Sequence, residues 1–387
     1  MKQNLATIDS NLIVKRHFYW VDLLRFLMAF LVLTSHYRMA FFVNYEFLPS
    51  SQQNIFTALI YAFTRLGEES VLIFFVLSGF LVGGRSIERI LANEVDISSY
   101  VIDRFVRIML PLFASVILVI IIDLFLGYQI PYIDLFGTLL SVQGIFTSFT
   151  YNPPLWSLSY EVWFYLLMGS IMVMCRVRNK TLIILSYFFL TIIFLFFIIY
   201  LTPKYLFFWV MGAFAYFLPK SDRPSSTTPV LFGLFICSIA FTQITYPSHS
   251  TNLGFSFINR EIAFTVLAFS TCLFIHNIIG CVPRNKLAIK IDKTGSKLSN
   301  FSYTLYLTHY PLIPLLSYLG FSKSRSVDLR SMSLYVIEII FAILVAYFVY
   351  LSSEKHTNLV KKILKKSVQK SAVLRTLSTR KALKQEY

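Results

Sequence analysis

Apolar stretches long enough to cross a lipid bilayer recur along nearly the whole of this 387-residue chain. A bilayer core needs roughly 20 residues of helix at about 1.5 Å each, and in lipid every backbone amide must find its partner within protein. Read between polar or proline-containing breaks, the runs fall near 20–42, 69–84, 108–128, 155–175, 181–200, 205–218, 229–246, 261–280, 301–319 and 332–352. They predict an all-α integral membrane protein of about ten transmembrane helices. The expected organisation is a segment 1–19, a transmembrane domain over 20–353 and a basic tail over 354–387. Spans 69–84 and 205–218 are short, which predicts tilt, extension by flanking residues or a partly re-entrant path. The first apolar run is too long for a cleaved signal and lacks an obvious small-x-small site, so it is expected to stay as the first helix.

The net charge of +16 first suggests a nucleic-acid partner, and the placement of the basic residues decides against it. If Lys15 and Arg16 are cytoplasmic, 27 of the 35 Lys and Arg residues fall on that side, 7 on the other, and Arg25 lies inside the first span. This is the positive-inside asymmetry of a membrane protein with both termini in the cytoplasm, its partners membrane lipids. With 56% hydrophobic and 14% charged residues, the composition excludes an ordinary soluble domain. The tail HTNLVKKILKKSVQK sets Leu359, Val360, Ile363 and Leu364 against Lys361, Lys362, Lys365 and Lys366. That pattern suits an interfacial helix on anionic lipid; a loosely helical solubilising tail is the other reading. The four cysteines (Cys175, Cys237, Cys272, Cys281) form no CxxC or Cys/His spacing, so they read as packing residues and no metal is expected.

Ionisable groups inside spans are costly and mark a site or a pathway. The first span, WVDLLRFLMAFLVLTSHY, holds Asp22, Arg25 and His36. Eleven positions are close to three helical turns, so Arg25 and His36 share a face about 16 Å apart along the axis, and Asp22 lies within pairing reach of Arg25. The ordinary alternative is that all three anchor the helix at its interfaces. A histidine can take and return a proton near neutral pH, a property an anchor does not need. Further on, FFVLSGF carries Ser78 and Gly79, small residues that permit close helix contact. Arg104 and Arg107, one turn apart before a span, suit either a phosphate-bearing ligand or the positive-inside rule. Glu161 sits in NPPLWSLSYEVWFYLL near Trp156 and Ser159, and Ser302, Tyr303, Tyr306 and His309 form a polar stripe in FSYTLYLTHYPL.

Together these segments resemble the membrane-bound acyltransferase family 3, whose signature is an Arg and a His in the first helix with ten residues between them, as Arg25 and His36 stand here. The resemblance runs in order through FFVLSGF, the RxxR of Arg104 and Arg107, the WSLSYE of Trp156 to Glu161 and the SYTLYLTH of Ser302 to His309, ending near the SEKH of Ser353 to His356.

The resemblance implies an enzyme of the bacterial cytoplasmic membrane that moves an acyl group, usually acetyl, from cytoplasmic acyl-coenzyme A to a hydroxyl of a surface polysaccharide. The acceptor would be a carbohydrate or lipid-linked glycan of capsule, O-antigen or exopolysaccharide. By the same matching, His36 and Arg25 become catalytic, with Asp22 as partner of Arg25 and Glu161 in support. Arg104, Arg107, Ser78 and Gly79 become contacts of acetyl-CoA, and Trp156, Ser159, Tyr303 and His309 shape the acceptor end. Some members carry an added SGNH-type domain, which this sequence does not show. A transporter or flippase for a lipid-linked glycan is the competing class, since intramembrane charges serve it too, although no internal repeat of the transporter kind is evident.

Overall fold

The computed structural model describes residues 18, 20–143, 145–147, 152–219, 224–245 and 259–370. The expected segment 1–19, apart from Phe18, and the tail beyond 370 thus lie outside the described residues. The chain enters α1 (Val21–Phe41) and returns through α2 (Ile55–Thr64), α3 (Gly67–Ser78), a π-helical run over Gly79–Gly84 and α4 (Arg85–Leu91). Next come α5 (Ile97–Leu126), the short α6 (Tyr132–Leu139), α7 (Trp156–Arg176), α8 (Lys180–Ile199) and α9 (Pro203–Ala215). The rest are α10 (Pro224–Ile244), α11 (Arg260–Ile278), α12 (Lys286–Ser299), α13 (Ser302–Thr308), α14 (Leu312–Tyr318) and α15 (Leu329–Ser352).

Seven helical stretches among the described residues are long and apolar enough to cross a membrane: 55–91, 97–126, 153–176, 180–199, 226–244, 260–278 and 329–370. Each coincides with one expected span. The remaining three expected spans take other forms. Over 20–42 there is a continuous 21-residue helix, α1, which carries Asp22, Arg25, His36 and Arg38. Over 205–218 lies the 13-residue α9. The single span expected over 301–319 is instead the broken pair α13 and α14, interrupted at His309–Pro311.

Local chemistry sets several helix ends. Asp96 accepts from the Ser99 amide at 3.0 Å to start α5, and Gly127, at φ 72°, ends it in the left-handed conformation. Asn54 with Thr57 and Asp328 with Ser331 form reciprocal caps at the starts of α2 and α15. Pro111, inside α5, cannot donate to the Arg107 carbonyl four residues back.

The helices close on α1, which packs against α3, α12, α13 and α15. α3 and α9 cross with their backbones almost in contact. A methyl group at Gly79 would strike the Trp209 carbonyl oxygen, and one at Gly212 the Val76 carbonyl oxygen. At the Arg25 end, Trp20 donates from its amide to Asp292 (3.0 Å) and from its indole to the Cys281 carbonyl (2.8 Å), tying α1 to α12. The helical stretch that continues past α15 docks on α5 there, with Lys365 paired to Asp103 at 2.9 Å. α8 stands outermost, with Ile184, Phe188, Phe194 and Ile198 more than half exposed, as a lipid-facing helix requires.

Candidate active site

A cavity of about 960 Å³ opens at the Arg25 end of the bundle. Its walls bring together Asp22 and Arg25 from α1, Ser78 from α3, Arg104 and Arg107 from α5, Glu161 from α7 and Tyr303 from α13. These residues span 281 positions of sequence from Asp22 to Tyr303. Arg85 and Arg89 join them from α4, so five arginines face four carboxylates, Asp22, Glu88, Glu94 and Glu161. A charge at the centre of a membrane helix costs about 2.5–3.5 kcal/mol on insertion scales, so such a concentration implies pairing, a ligand, or both.

Some pairing is visible. Arg25 donates from Nη1 to Asp22 Oδ1 at 3.4 Å, with side chains 18% and 32% exposed. Arg104 lies over two aromatic faces, 5.7 Å from the Tyr100 ring centre and 5.3 Å from that of Tyr165. Tyr100 in turn donates to the Tyr165 carbonyl at 3.0 Å, which fixes the two rings. The Tyr165 hydroxyl donates to Glu161, one turn earlier on α7. Arg107 sits in the field of Glu161 and Glu354 and makes no direct ion pair among the described residues. The Nε of Arg104 and the hydroxyl of Tyr303 are buried without a hydrogen-bond partner among the described residues. The wall therefore offers guanidinium donors suited to phosphate oxygens.

Tyr306 and Ser157 also line the cavity; their hydroxyls lie 2.6 Å apart, and the Tyr306 hydroxyl donates to the Pro154 carbonyl. Beyond them α13 breaks. Pro311 has no amide hydrogen for the Leu307 carbonyl, and that oxygen instead accepts from Ser115 Oγ and Asn152 Nδ2, each at 2.8 Å. His309, fully buried, turns Nδ1 toward the carbonyls of Tyr306 (2.8 Å) and Leu305 (3.2 Å). Its Nε2 lies 3.1 Å from Nδ1 of His36, and its carbonyl accepts from the Tyr37 hydroxyl at 3.0 Å. The break thus presents a histidine pair, across α1 and the α13–α14 junction, with every exposed carbonyl named here satisfied.

A family model described as an acyltransferase domain matches residues 18–351. The chain belongs to acyltransferase family 3. No curated protein and no solved structure matches it. The chain is accordingly a multi-pass membrane acyltransferase, and the family match embraces both the arginine-lined cavity and the histidine pair.

Of the remaining residues singled out from sequence, Ser78 lines the cavity of this family 3 acyltransferase and Gly79, Trp156, Ser159 and His36 are not part of its lining. Gly79 is a packing glycine at the α3–α9 crossing, while its neighbour Ser78 accepts from the Trp209 indole at 3.3 Å. Trp156 lies in an aromatic cluster, 5.1 Å from Tyr205 and 5.6 Å from Tyr160. Ser159 is fully buried and donates to the Gln143 carbonyl at 2.9 Å. His36 does not line the cavity; it contacts His309, whose ring centre lies 5.9 Å from that of the cavity residue Tyr306.

In the sequence Arg85 and Arg89 are basic residues beside a span, for which the positive-inside rule is a sufficient explanation. Glu354, in the SEKH segment, caps α13, accepting from the Thr304 amide (3.1 Å) and hydroxyl (2.6 Å). The rule that flagged Arg25 also singles out Glu338 inside α15, only 2% exposed.

Proposed function

We propose that this acyltransferase moves an acetyl group from acetyl-coenzyme A, bound on the cytoplasmic side of a bacterial inner membrane, to a sugar hydroxyl of a surface polysaccharide or its lipid-linked precursor. The observation that carries the reading is the arginine-lined cavity at one end of α1, with the His36–His309 pair three turns further along the same helix. Arg104 and Arg107 hold the phosphates of the donor, Arg85 and Arg89 extend that cradle at the mouth, and Arg25, kept in place by Asp22, steadies the donor arm. The pantetheine arm is the kind of long, thin group that bridges such a separation, its thioester passing Tyr306 to reach His36.

Acyl transfer to an alcohol requires a base for the hydroxyl proton and positioning of two substrates. His36 takes that proton as the sugar oxygen attacks the thioester carbonyl. The carbon–sulfur bond breaks, the proton passes to the departing thiolate, and an acetyl ester and free coenzyme A result. Entry of the donor from one side and the acceptor from the other places the two reactants at His36 without mixing their compartments.

Membranes carrying the intact chain should transfer radiolabelled acetyl from acetyl-coenzyme A to extracted surface polysaccharide, and His36→Ala and Arg25→Ala forms at equal level should not. No transfer, together with no binding of acetyl-coenzyme A, would overturn the reading. A flippase for a lipid-linked glycan is favoured by one observation, the broken α13–α14 pair. It predicts lost polymer export in His36→Ala cells, where the acyltransferase predicts normal export of unacylated polymer.

A further inference from the structure

The His36–His309 contact fixes more than proximity, because only one assignment of protons satisfies all its neighbours. Carbonyl oxygens accept and cannot donate. His309 Nδ1 faces two of them, Tyr306 at 2.8 Å and Leu305 at 3.2 Å, so it must carry a hydrogen. Were Nε2 also protonated, His309 would be a cation at 0% exposure with no carboxylate in contact, an arrangement a buried site does not hold. The Nε2 of His309 therefore presents a lone pair. His36 Nδ1, 3.1 Å away, must donate to it. A neutral His36 that carries its hydrogen on Nδ1 has its own lone pair on Nε2.

We infer that His309 is a positioning residue: by accepting from Nδ1 of His36 it holds that ring in the one tautomer and orientation that leave Nε2 free to take a proton from the acceptor hydroxyl. The inference rests on the acyltransferase reading of His36 and moves His309 from the acceptor-binding role that its place in the polar stripe suggested. It also gives the broken helix a purpose. An unbroken helix over 301–319 would keep its own carbonyls paired and would have no reason to set a histidine across from α1. Here Pro311 ends α13, Ser115 and Asn152 take up the freed Leu307 carbonyl, and Tyr37 grips the His309 carbonyl. The backbone around His309 is thereby held from α1, α5 and the loop before α7, and its imidazole is held by its own preceding turn. Tyr310, edge-on to His36 with ring centres 5.4 Å apart, limits the swing of the His36 ring on another side.

The arrangement parallels the general logic by which a base is oriented by a third group, with one difference. The orienting partner here is a neutral acceptor, so it selects a tautomer without supplying a negative charge. Loss of such an orienter leaves the binding sites intact and lowers turnover, and the wrong tautomer of a catalytic histidine costs up to about 10⁴-fold in kcat.

The test compares three replacements of His309 in membranes carrying the full chain, with acetyl-coenzyme A and extracted polysaccharide as substrates. His309→Gln places an amide oxygen where Nε2 stood and can accept from His36. His309→Asn keeps a polar amide near the backbone carbonyls but falls short of His36, and His309→Leu offers no acceptor. The expected result is a kcat reduced about 10²-fold or more in the Asn and Leu forms, consistent with the usual worth of a positioned general base, at unchanged KM for acetyl-coenzyme A. His309→Gln should recover a measurable part of the lost turnover. Equal kcat in the Gln and Asn forms, or a loss confined to KM, would overturn the inference, and the Gln–Asn comparison stands even if the Leu form fails to fold. Should the intact chain transfer no acetyl group at all, the acyltransferase reading falls and this inference with it. Should it transfer acetyl in a His36-dependent way while the Gln and Asn forms match each other, only this inference falls.

Discussion

The Arg104 guanidinium lies 5.3 Å from the centre of the Tyr165 ring, and the hydroxyl of that ring is bonded to Glu161. One aromatic side chain thus orders a cation and an anion on the same wall of the cavity. Planarity matters here, because a guanidinium can stack on the ring and still present donors in its plane to a phosphate, whereas an ammonium cannot do both. Arg104→Lys is expected to raise the KM for acetyl-coenzyme A about tenfold, equivalent to about 1.4 kcal/mol, with little change in kcat. Initial rates against donor concentration check this, and an unaltered KM would remove Arg104 from the donor site.

Arg89 sits on the exposed rim of the cavity, where salt screens it, while Arg104 and Arg107 are partly buried. Arg89→Ala should therefore weaken donor binding at low ionic strength and have a smaller effect as salt is raised. Binding of acetyl-coenzyme A across a salt series distinguishes this from a uniform loss, which would place Arg89 inside the phosphate site proper.

The α3–α9 crossing leaves no room for a methyl group at Gly79 or Gly212. Gly79→Ala and Gly212→Ala are each expected to destabilise the protein by about 1–3 kcal/mol, the usual cost of overpacking, because the obstructing atoms are backbone carbonyls that cannot swing away. Thermal unfolding of the purified protein in detergent measures it. A midpoint unchanged in both variants would show that the helices separate freely.

Ser115 and Asn152 share the carbonyl that Pro311 leaves open. Removing one leaves the other in place, so Ser115→Ala and Asn152→Leu should each be mild. Removing both strands a buried acceptor, with a cost of about 1–3 kcal/mol beyond the sum of the single changes. A double-mutant cycle on unfolding midpoints reads this directly, and simple additivity would mean that the Leu307 oxygen finds another donor.

Some of the cavity's charged residues were legible in the sequence, Arg25 and Glu161 because each interrupts an apolar run, Arg104 and Arg107 as a pair one turn apart before a span. Arg25, Arg104, Arg107 and Glu161 stand out against neighbours such as Leu, Phe and Ile, and their convergence follows once the helices pack. The His36–His309 pair was not legible, since its members are 273 positions apart and its geometry depends on a break read as a continuous span. The signal for that break, Pro311 directly after His309 and Tyr310, was in plain view. It was outweighed by the apolar character of 301–319, because proline is tolerated in membrane helices when neighbours satisfy the freed carbonyl. Arg85 and Arg89 were hidden for the opposite reason: basic residues beside a span have a sufficient topological explanation, and only the cavity wall shows that they face inward. Gly79 was noticed as a small residue, but its partner Gly212 lies on another helix, and a close crossing needs both.

The π-helical run over Gly79–Gly84 bears on how the chain can change in length. It closes its hydrogen bonds five residues along, where an α-helix closes them four along, so it holds α3 and α4 at a set rotational offset. Deleting one residue there would leave a continuous helix of nearly the same length but would turn Arg85 and Arg89 away from the cavity while Ser78 stayed in place. At Gly79–Gly84 the number of residues is itself a functional quantity, a vernier between the wall that packs and the wall that binds.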